Sequence, residues 1–386
     1  MTADPELVDL QLGALHEATP EDLESWDERA VDDPAGHVYQ SVAWGRHRES
    51  VGWRAHFLQF DDAFRVLALS RPWRWLPGAG AYVSRGPIPA EPPAPAASRL
   101  AAVTQWLADR GVDVVATDAE RPAEAAYTDR LADLGFRQIE ELQPSRHRLD
   151  LDLGAGSDET SVFGAFGSTT RNLIRQAERQ GLQVRRLDAR ASAGGGTSDE
   201  SALDGFVPAT PEQQADPTGL LTGCYSMLEA TADRRRFRLG GRSAFLGWST
   251  ASVRAGQTIY LQVEDSAGEV VAGATFYRHG NRLSYALSGD RAELRRDHPG
   301  AVRLLVWRAI QIALREGRST MDLGGVDVPG ARRRPREGEP AYGMLQFKES
   351  FGARWVELTG AHERVVRPLH YAAGRVASRL AGALAR

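Results

Sequence analysis

The chain has 386 residues, 42% of them apolar and 25% charged, with a formal net charge of −4. It is too long for one ordinary hydrophobic core, so two domains are expected, and the balanced charge gives no general pull toward nucleic acid or a bilayer. The single cysteine, Cys224, excludes a disulfide framework and a cysteine metal site and fits a reducing cytoplasm; the N-terminal residues do not read as a secretory signal, and no run approaches the roughly 18 apolar residues of a membrane helix.

In chain order, residues 55–60 and 64–70 flank Asp61-Asp62 as strand, turn and strand. A Pro-rich stretch, 87–95, leads into a helix over 98–110 that Gly111 ends, and 112–116 reads as a buried strand. A second helix, 123–134, stops at Gly135, and extended chain returns through 147–151. The first unit, 1–150, is therefore mixed α/β with strands and helices interleaved. The second unit, 151–360, opens with a helix over 171–180, capped from Ser168, Thr169 or Thr170 and closed by Gly181. Residues 191–233 hold no Lys or Arg, and the linker-like composition of about 191–218 predicts a mobile insertion. After a helical stretch at 225–232, three strands, 259–263, 270–277 and 283–287, form an antiparallel meander. A long amphipathic helix spans 301–316, and a last strand, 320–323, runs into Gly324-Gly325. In the tail, 361–386, Val376, Leu380 and Leu384 share a helical face with Arg375 and Arg379 beside it. That face suits docking on the first domain, or contact with anionic lipid.

All but one of the 47 basic side chains are arginines; the exception is Lys348, within Phe347-Lys348-Glu349-Ser350-Phe351-Gly352. Arginine is a planar fork and lysine a compact point charge, so a site that sets one ammonium against one oxygen cannot use arginine instead. Arg171, Arg175 and Arg179 fall on one face of their helix; Arg234, Arg235, Arg236, Arg238 and Arg242 lie within nine residues; Arg332, Arg333, Arg334 and Arg336 form a third cluster. Each is either a solvated face or a seat for a phosphate-bearing partner such as RNA or a nucleotide diphosphate. Asp322 and Asp118 each follow or end a strand, where carboxylates hold ligands or cap turns. Tyr285 sits in mid-strand, where its hydroxyl needs a partner. A meander followed by a long helix suggests an acetyltransferase-like fold, but the turn at 296–301 has one glycine, a proline and an acid, a poor cradle for the pyrophosphate of coenzyme A. No motif for a metal or a covalent nucleophile is present.

Tyr39-Gln40-Ser41-Val42-Ala43-Trp44 with Arg48 and Gly52-Trp53, the Arg-rich helix at 170–181, Met321-Asp322-Leu323-Gly324-Gly325, and Phe347-Lys348 through Gly352 with Glu357 to Gly360 occur in that order. Together they resemble the Fem family (FemAB and FemX) of peptidoglycan-bridge aminoacyl transferases, over about residues 37–371. The resemblance implies an α/β (α+β) protein of two tandem acetyltransferase (GNAT)-like domains, with the 361–386 tail packing on the first. It implies transfer of an amino acid from aminoacyl-tRNA, a co-substrate in place of any cofactor, to the stem-peptide amine of UDP-MurNAc-pentapeptide or lipid II. Carried over by position, Lys348 and Phe347 would sit at the reacting ester, with Asp118 as a catalytic carboxylate. Arg48 and either Arg242 or Arg238 would hold phosphates, Tyr285, Trp44 and Asp322 would line the substrate site, and Arg171, Arg175 and Arg179 would meet tRNA. A cytoplasmic monomer, with peripheral contact at the inner membrane face, is the matching expectation. An acyl-CoA-dependent N-acyltransferase and a non-catalytic scaffold for precursor or tRNA are the alternatives.

Overall fold

The computed structural model describes residues 12–61, 64–86, 91–142, 146–193, 205–236, 239–326 and 333–384. The chain divides into two compact units, Met1–Arg146 with Glu357–Arg386, and His147–Val356.

In the first unit, β1 (Leu15–Glu17) is followed by helix α1 (Val42–Ser50) and by β2 (Arg54–Phe60), β3 (Arg65–Pro72) and β4 (Ala79–Val83). The four strands pair antiparallel in succession. The crossover helix α2 (Pro93–Ala108) then returns the chain so that β5 (Val112–Thr117) lies parallel to β4. This helix starts earlier than its composition predicts. Pro93 occupies its first turn, where a missing N–H leaves nothing unsatisfied, so the end of the Pro-rich stretch is helix rather than lead-in. Ala96, Ala97, Leu100, Val103 and Leu107 of α2 are buried with Leu58, Val66, Val83 and Val115 of the sheet. Each large apolar side chain so buried stabilises by about 1.5–3 kcal/mol before the entropy of ordering it. α3 (Ala125–Asp133) and the short β6 (Arg137–Gln138) follow.

The second unit begins with β7 (His147–Asp152), α4 (Ser168–Arg179) and β8 (Gln183–Leu187). Residues 194–204 of the expected insertion lie outside the described residues, but 205–218 is not loop. β9 (Phe206–Pro208) pairs parallel to β8, and Pro211–Ala215 is a helical turn held by a capping box between Thr210 and Gln213. Linker-like composition missed both because caps and turns use the same Thr, Pro and Gln residues. Then come α5 (Thr218–Arg235), α6 (Arg242–Arg254), and the meander β10 (Thr258–Glu264), β11 (Val270–His279) and β12 (Arg282–Asp290). The long helix α7 (Ala301–Arg315) crosses over to β13 (Thr320–Asp322), parallel to β12, and α8 (Tyr342–Glu349) leads to β14 (Arg354–Glu357). The sheet order is β14-β7-β13-β12-β11-β10-β8-β9. Its core packs α4 and α7 (Ile174, Leu304, Leu305, Ile310) on Ile259, Leu261, Phe276 and Leu283.

The chain ends in β15 (His362–Val365) and α9 (Pro368–Leu384). β15 completes the first unit's sheet, in the order β1-β2-β3-β4-β5-β15-β6. Both sheets thus run four strands, a helical crossover to a parallel fifth, and an antiparallel sixth taken from elsewhere in the sequence.

Candidate active site

In the second unit the parallel fifth strand, β13, ends at Asp322. Its carboxylate accepts from the Gly324 amide at 2.7 Å, closing a tight turn, and from the Ser284 hydroxyl at 3.0 Å, which is itself 2.9 Å from His279 Nε2. Gly324 is in the left-handed region (φ 74), and a Cβ there would lie 3.2 Å from the Tyr285 carbonyl and 3.4 Å from Lys348 Nζ. Glycine is needed at this turn for conformation and for room.

Lys348 enters the turn from α8, whose inward face carries Leu345 and Lys348 one turn apart. Its buried ammonium donates to the Gly325 carbonyl at 2.6 Å. Burial lowers its pKa to about 8, partly offset by the Asp322 charge. His147 lies beside it: Nε2 accepts from the Val326 amide at 2.8 Å, and the ring stacks on Trp355 at 3.6 Å. Burial, and then the Lys348 charge, lower the His147 pKa to about 4, so at neutral pH it is an uncharged acceptor with its proton on Nδ1. Phe347 packs edge-on to Phe351, with the Arg303 guanidinium 5.2 Å over its ring. Tyr285 donates its hydroxyl to Ser288, and burial raises its pKa to about 12. The register between β11 and β12 shifts here, so that Phe276 pairs with Tyr285 while Thr275 pairs with Leu287.

The first unit holds a different group. Arg48 on α1 lies between the Trp44 and Trp53 rings, at 5.2 and 4.8 Å, and its buried Nε has no hydrogen-bond partner among the described residues. Burial and the neighbouring Arg71 depress its pKa. Tyr39 stacks on Trp44 at 4.5 Å. Asp118 follows β5 and accepts from the Arg85 amide at 2.9 Å; the Arg85 guanidinium is 3.6 Å from Asp118 and 3.2 Å from Glu120. Burial pushes the Asp118 carboxyl up against the pull of Arg85. Tyr82 bonds Asp118 and, with Tyr39, lies within electrostatic reach of both Arg48 and Arg85.

The structure therefore brings Lys348, Asp322 and the Tyr285 backbone together in the second unit, and Trp44, Arg48 and Asp118 into one neighbourhood of the first. Arg238 lies outside the described residues. Arg242 opens α6 and, with Thr218, Ser243, Thr250 and Arg254, lines an open groove of about 790 Å³. The Arg-rich helix is not one uniform surface. Arg171 donates to the Gly164 carbonyl at 2.8 Å and to that of Phe166, and so fastens the preceding turn. Arg175 lies over Phe163 at 5.3 Å, and Arg179 is exposed. In the third cluster Arg333 pairs with Glu339 and Arg334 with Glu349, while Arg332 lies outside the described residues. The lone glycine of the 296–301 turn, Gly300, is a packing residue: a Cβ there would meet the Leu173 carbonyl at 2.2 Å. Sequence reasoning missed His147 and Arg85. A histidine opening a strand and an arginine following one carry no local signal, because their partners are 179 and 33 residues away.

Residues 249–379 match the sequence model of the FemAB family, which bears out the resemblance over that stretch. Among solved structures, the fold is similar to that of FemX, at 16% identity over 94% of this chain and 100% of that one, with a TM-score of 0.73. It is also similar to L-PGS from Bacillus licheniformis, at 12% identity over 94% and 98% of the two chains and a TM-score of 0.52. A protein of unknown function from Bacteroides thetaiotaomicron gives 10% identity, 91% and 99% coverage and 0.54. No curated protein sequence matches the chain. The protein has the FemX fold, two tandem acetyltransferase-like domains, and the stretch that matches the FemAB model runs from within α6 to α9.

Proposed function

We propose that the protein is a Fem-type aminoacyl transferase that moves an amino acid from aminoacyl-tRNA to the stem-peptide amine of a cytoplasmic peptidoglycan precursor, UDP-MurNAc-pentapeptide or lipid II. The FemAB match and the FemX fold support a transferase of the peptidoglycan-bridge kind. The observation that carries the finer reading is the chain's single lysine, buried against a Gly-Gly turn where, among the described residues, its ammonium has one hydrogen-bond partner, the Gly325 carbonyl.

The chemistry asks little else of the protein. The acceptor amine attacks the ester carbonyl, the C=O electrons move onto oxygen, and the tetrahedral oxyanion collapses with loss of the ribose hydroxyl. A fixed ammonium stabilises that oxyanion, and removing one such donor typically costs 10²–10³ in rate. No enzyme nucleophile is needed, because the ester is already activated. The attacking amine must lose a proton, and the substrate itself can accept it. In the first unit Arg48 is assigned to the precursor's phosphates and Trp44 to substrate binding; in the second, Arg242 is assigned to phosphate, and Tyr285 and Asp322 to the surroundings of Lys348. Arg175 and Arg179 are assigned to tRNA, with Arg171 holding their helix in place.

The test mixes the full chain with a pool of charged tRNAs and each precursor and looks for a mass gain of one amino acid. No product with any donor and either acceptor would refute the reading.

A further inference from the structure

We infer that the outward face of α9 and the adjoining β3–β4 hairpin form a docking surface for the anionic headgroups of a lipid bilayer. Three observations carry this.

The first is exposure. Among the described residues the three most exposed large apolar side chains are Leu369 (85%), Trp75 (64%) and Val376 (56%), and Leu76 is 39% exposed. Leu369 and Val376 are seven residues apart and so share a face of α9. The opposite face is occupied: Gly374 closes on the Trp73 ring, where a Cβ would come within 2.4 Å, Tyr371 lies 6.3 Å from the same ring, and Ala377 is buried. One side of α9 thus packs on the hairpin, and the other presents aliphatic side chains to solvent. Isolated apolar side chains on a surface need no explanation, but a group of four on two touching elements does.

The second is charge. Residues 364–386 contain five arginines and no Asp or Glu, and the hairpin residues 71–78 add Arg71 and Arg74 with no acid, in a chain of net −4. The carboxylates that meet this helix face inward. Asp113 is buried against Arg367 at 3.1 Å, His370 at 3.6 Å and the Trp73 indole at 2.6 Å, and Glu363 is bonded by Arg137 and by Tyr371. The surface is apolar and cationic at once, the combination that selects an anionic bilayer over an apolar protein partner.

The third is strain. Trp75 sits in the left-handed region (φ 66), with Arg74 5.5 Å over its ring. A bulky residue there costs of order 1 kcal/mol that glycine or asparagine would not. Folding gains little from an indole held in strain in water, whereas an indole at headgroup depth beside arginines is what interfaces favour. Among the described residues no helix is long and apolar enough to cross a membrane, so the contact is peripheral.

The inference concerns where the chain rests and not which bond it makes, so it is tested apart from the transfer reaction. Full-length protein is sedimented with vesicles of phosphatidylcholine alone and of phosphatidylcholine with phosphatidylglycerol. Binding is expected to the anionic vesicles and to fall as salt rises. Leu369→Gln with Val376→Gln, and separately Trp75→Ser, should each reduce it at unchanged melting temperature, because these side chains are exposed. Arg375→Gln should weaken partition by about fivefold. Equal binding to both vesicles, or anionic binding that none of the variants alters, would overturn the inference. So would a dilution-sensitive dimer abolished by the Leu369 and Val376 changes, which would make a second copy the occupant.

Discussion

The strand that follows the crossover helix leads into Asp118 in the first unit and ends on Asp322 in the second, and the two carboxylates occupy the same topological position. Their surroundings differ in kind. Asp118 is met by an arginine that is itself shared with Glu120, so charge is matched by charge in a buried network. Asp322 is met by a hydroxyl and an amide, and the nearby cation is a lysine whose hydrogen bond goes to a backbone carbonyl. A paired guanidinium holds structure. An ammonium held by one neutral oxygen keeps donors for something else. The comparison teaches that one scaffold position serves packing in one copy and presents a cation in the other.

The sharpest way to break the comparison is Lys348→Arg. The fork is too wide to replace a point charge at the Gly324-Gly325 turn, so turnover should fall about 10²–10³-fold with the fold intact; near wild-type turnover in the mass assay would remove the distinction. Next, Asp118→Asn leaves a buried guanidinium short of charge and should cost about 3 kcal/mol in denaturant unfolding. Asp322→Asn, which leaves no ion pair broken, should cost about 1 kcal/mol. The reverse order would mean that the second carboxylate is the structural one.

Lys348→Met should stabilise. The folded pKa, about 8, lies below the unfolded value of 10.5, so burying the charge costs stability fully below pH 8, and the cost lifts as pH rises toward 10.5. The gain should be about 1–3 kcal/mol at pH 7 and smaller at pH 10, read from melts at the two pH values. In the wild type, turnover that depends on the ammonium should decline as pH rises through about 8.

The smallest effect separates two histidines. His147 in the second unit and His56 in the first are both lowered from 6.5 to about 4, chiefly by burial. Each contributes stability above pH 6.5 that is lost as pH falls toward 4, because the unfolded chain takes up the proton first. Only His147 also feels Lys348. In Lys348→Met the imidazole titration of His147, followed by NMR, should move up while that of His56 stays fixed; a joint shift would point to a global change.

The regular elements were legible because their signals are local. The meander follows from strand runs, the ends of α4 and α7 from Gly181 and Gly317, and the turn at Asp322 from its carboxylate and glycines; the expected cap from Ser168, Thr169 or Thr170 does not form, because α4 already begins at Ser168, after Gly167. The first start of α2 was misread because proline marks both loops and first helical turns. Pairing across distance left no trace: nothing near Phe206 announces β8 as its partner, and nothing near Arg171 shows that two carbonyls consume its donors. Lys348 could be singled out by count and chemistry, but its place on the inward face of α8 depended on Leu345 and Phe351 being core, which only packing decides.

The position of β15 has a consequence for synthesis. Among the described residues β6 pairs only with β15, and β15 separates it from β5, yet the second unit's 210 residues, His147–Val356, are made between them. As the chain leaves the ribosome, the second unit can complete its sheet while the first still shows β5 as a bare edge, exposed to mispairing until residues 362–365 emerge. The part translated first is therefore the part that finishes last.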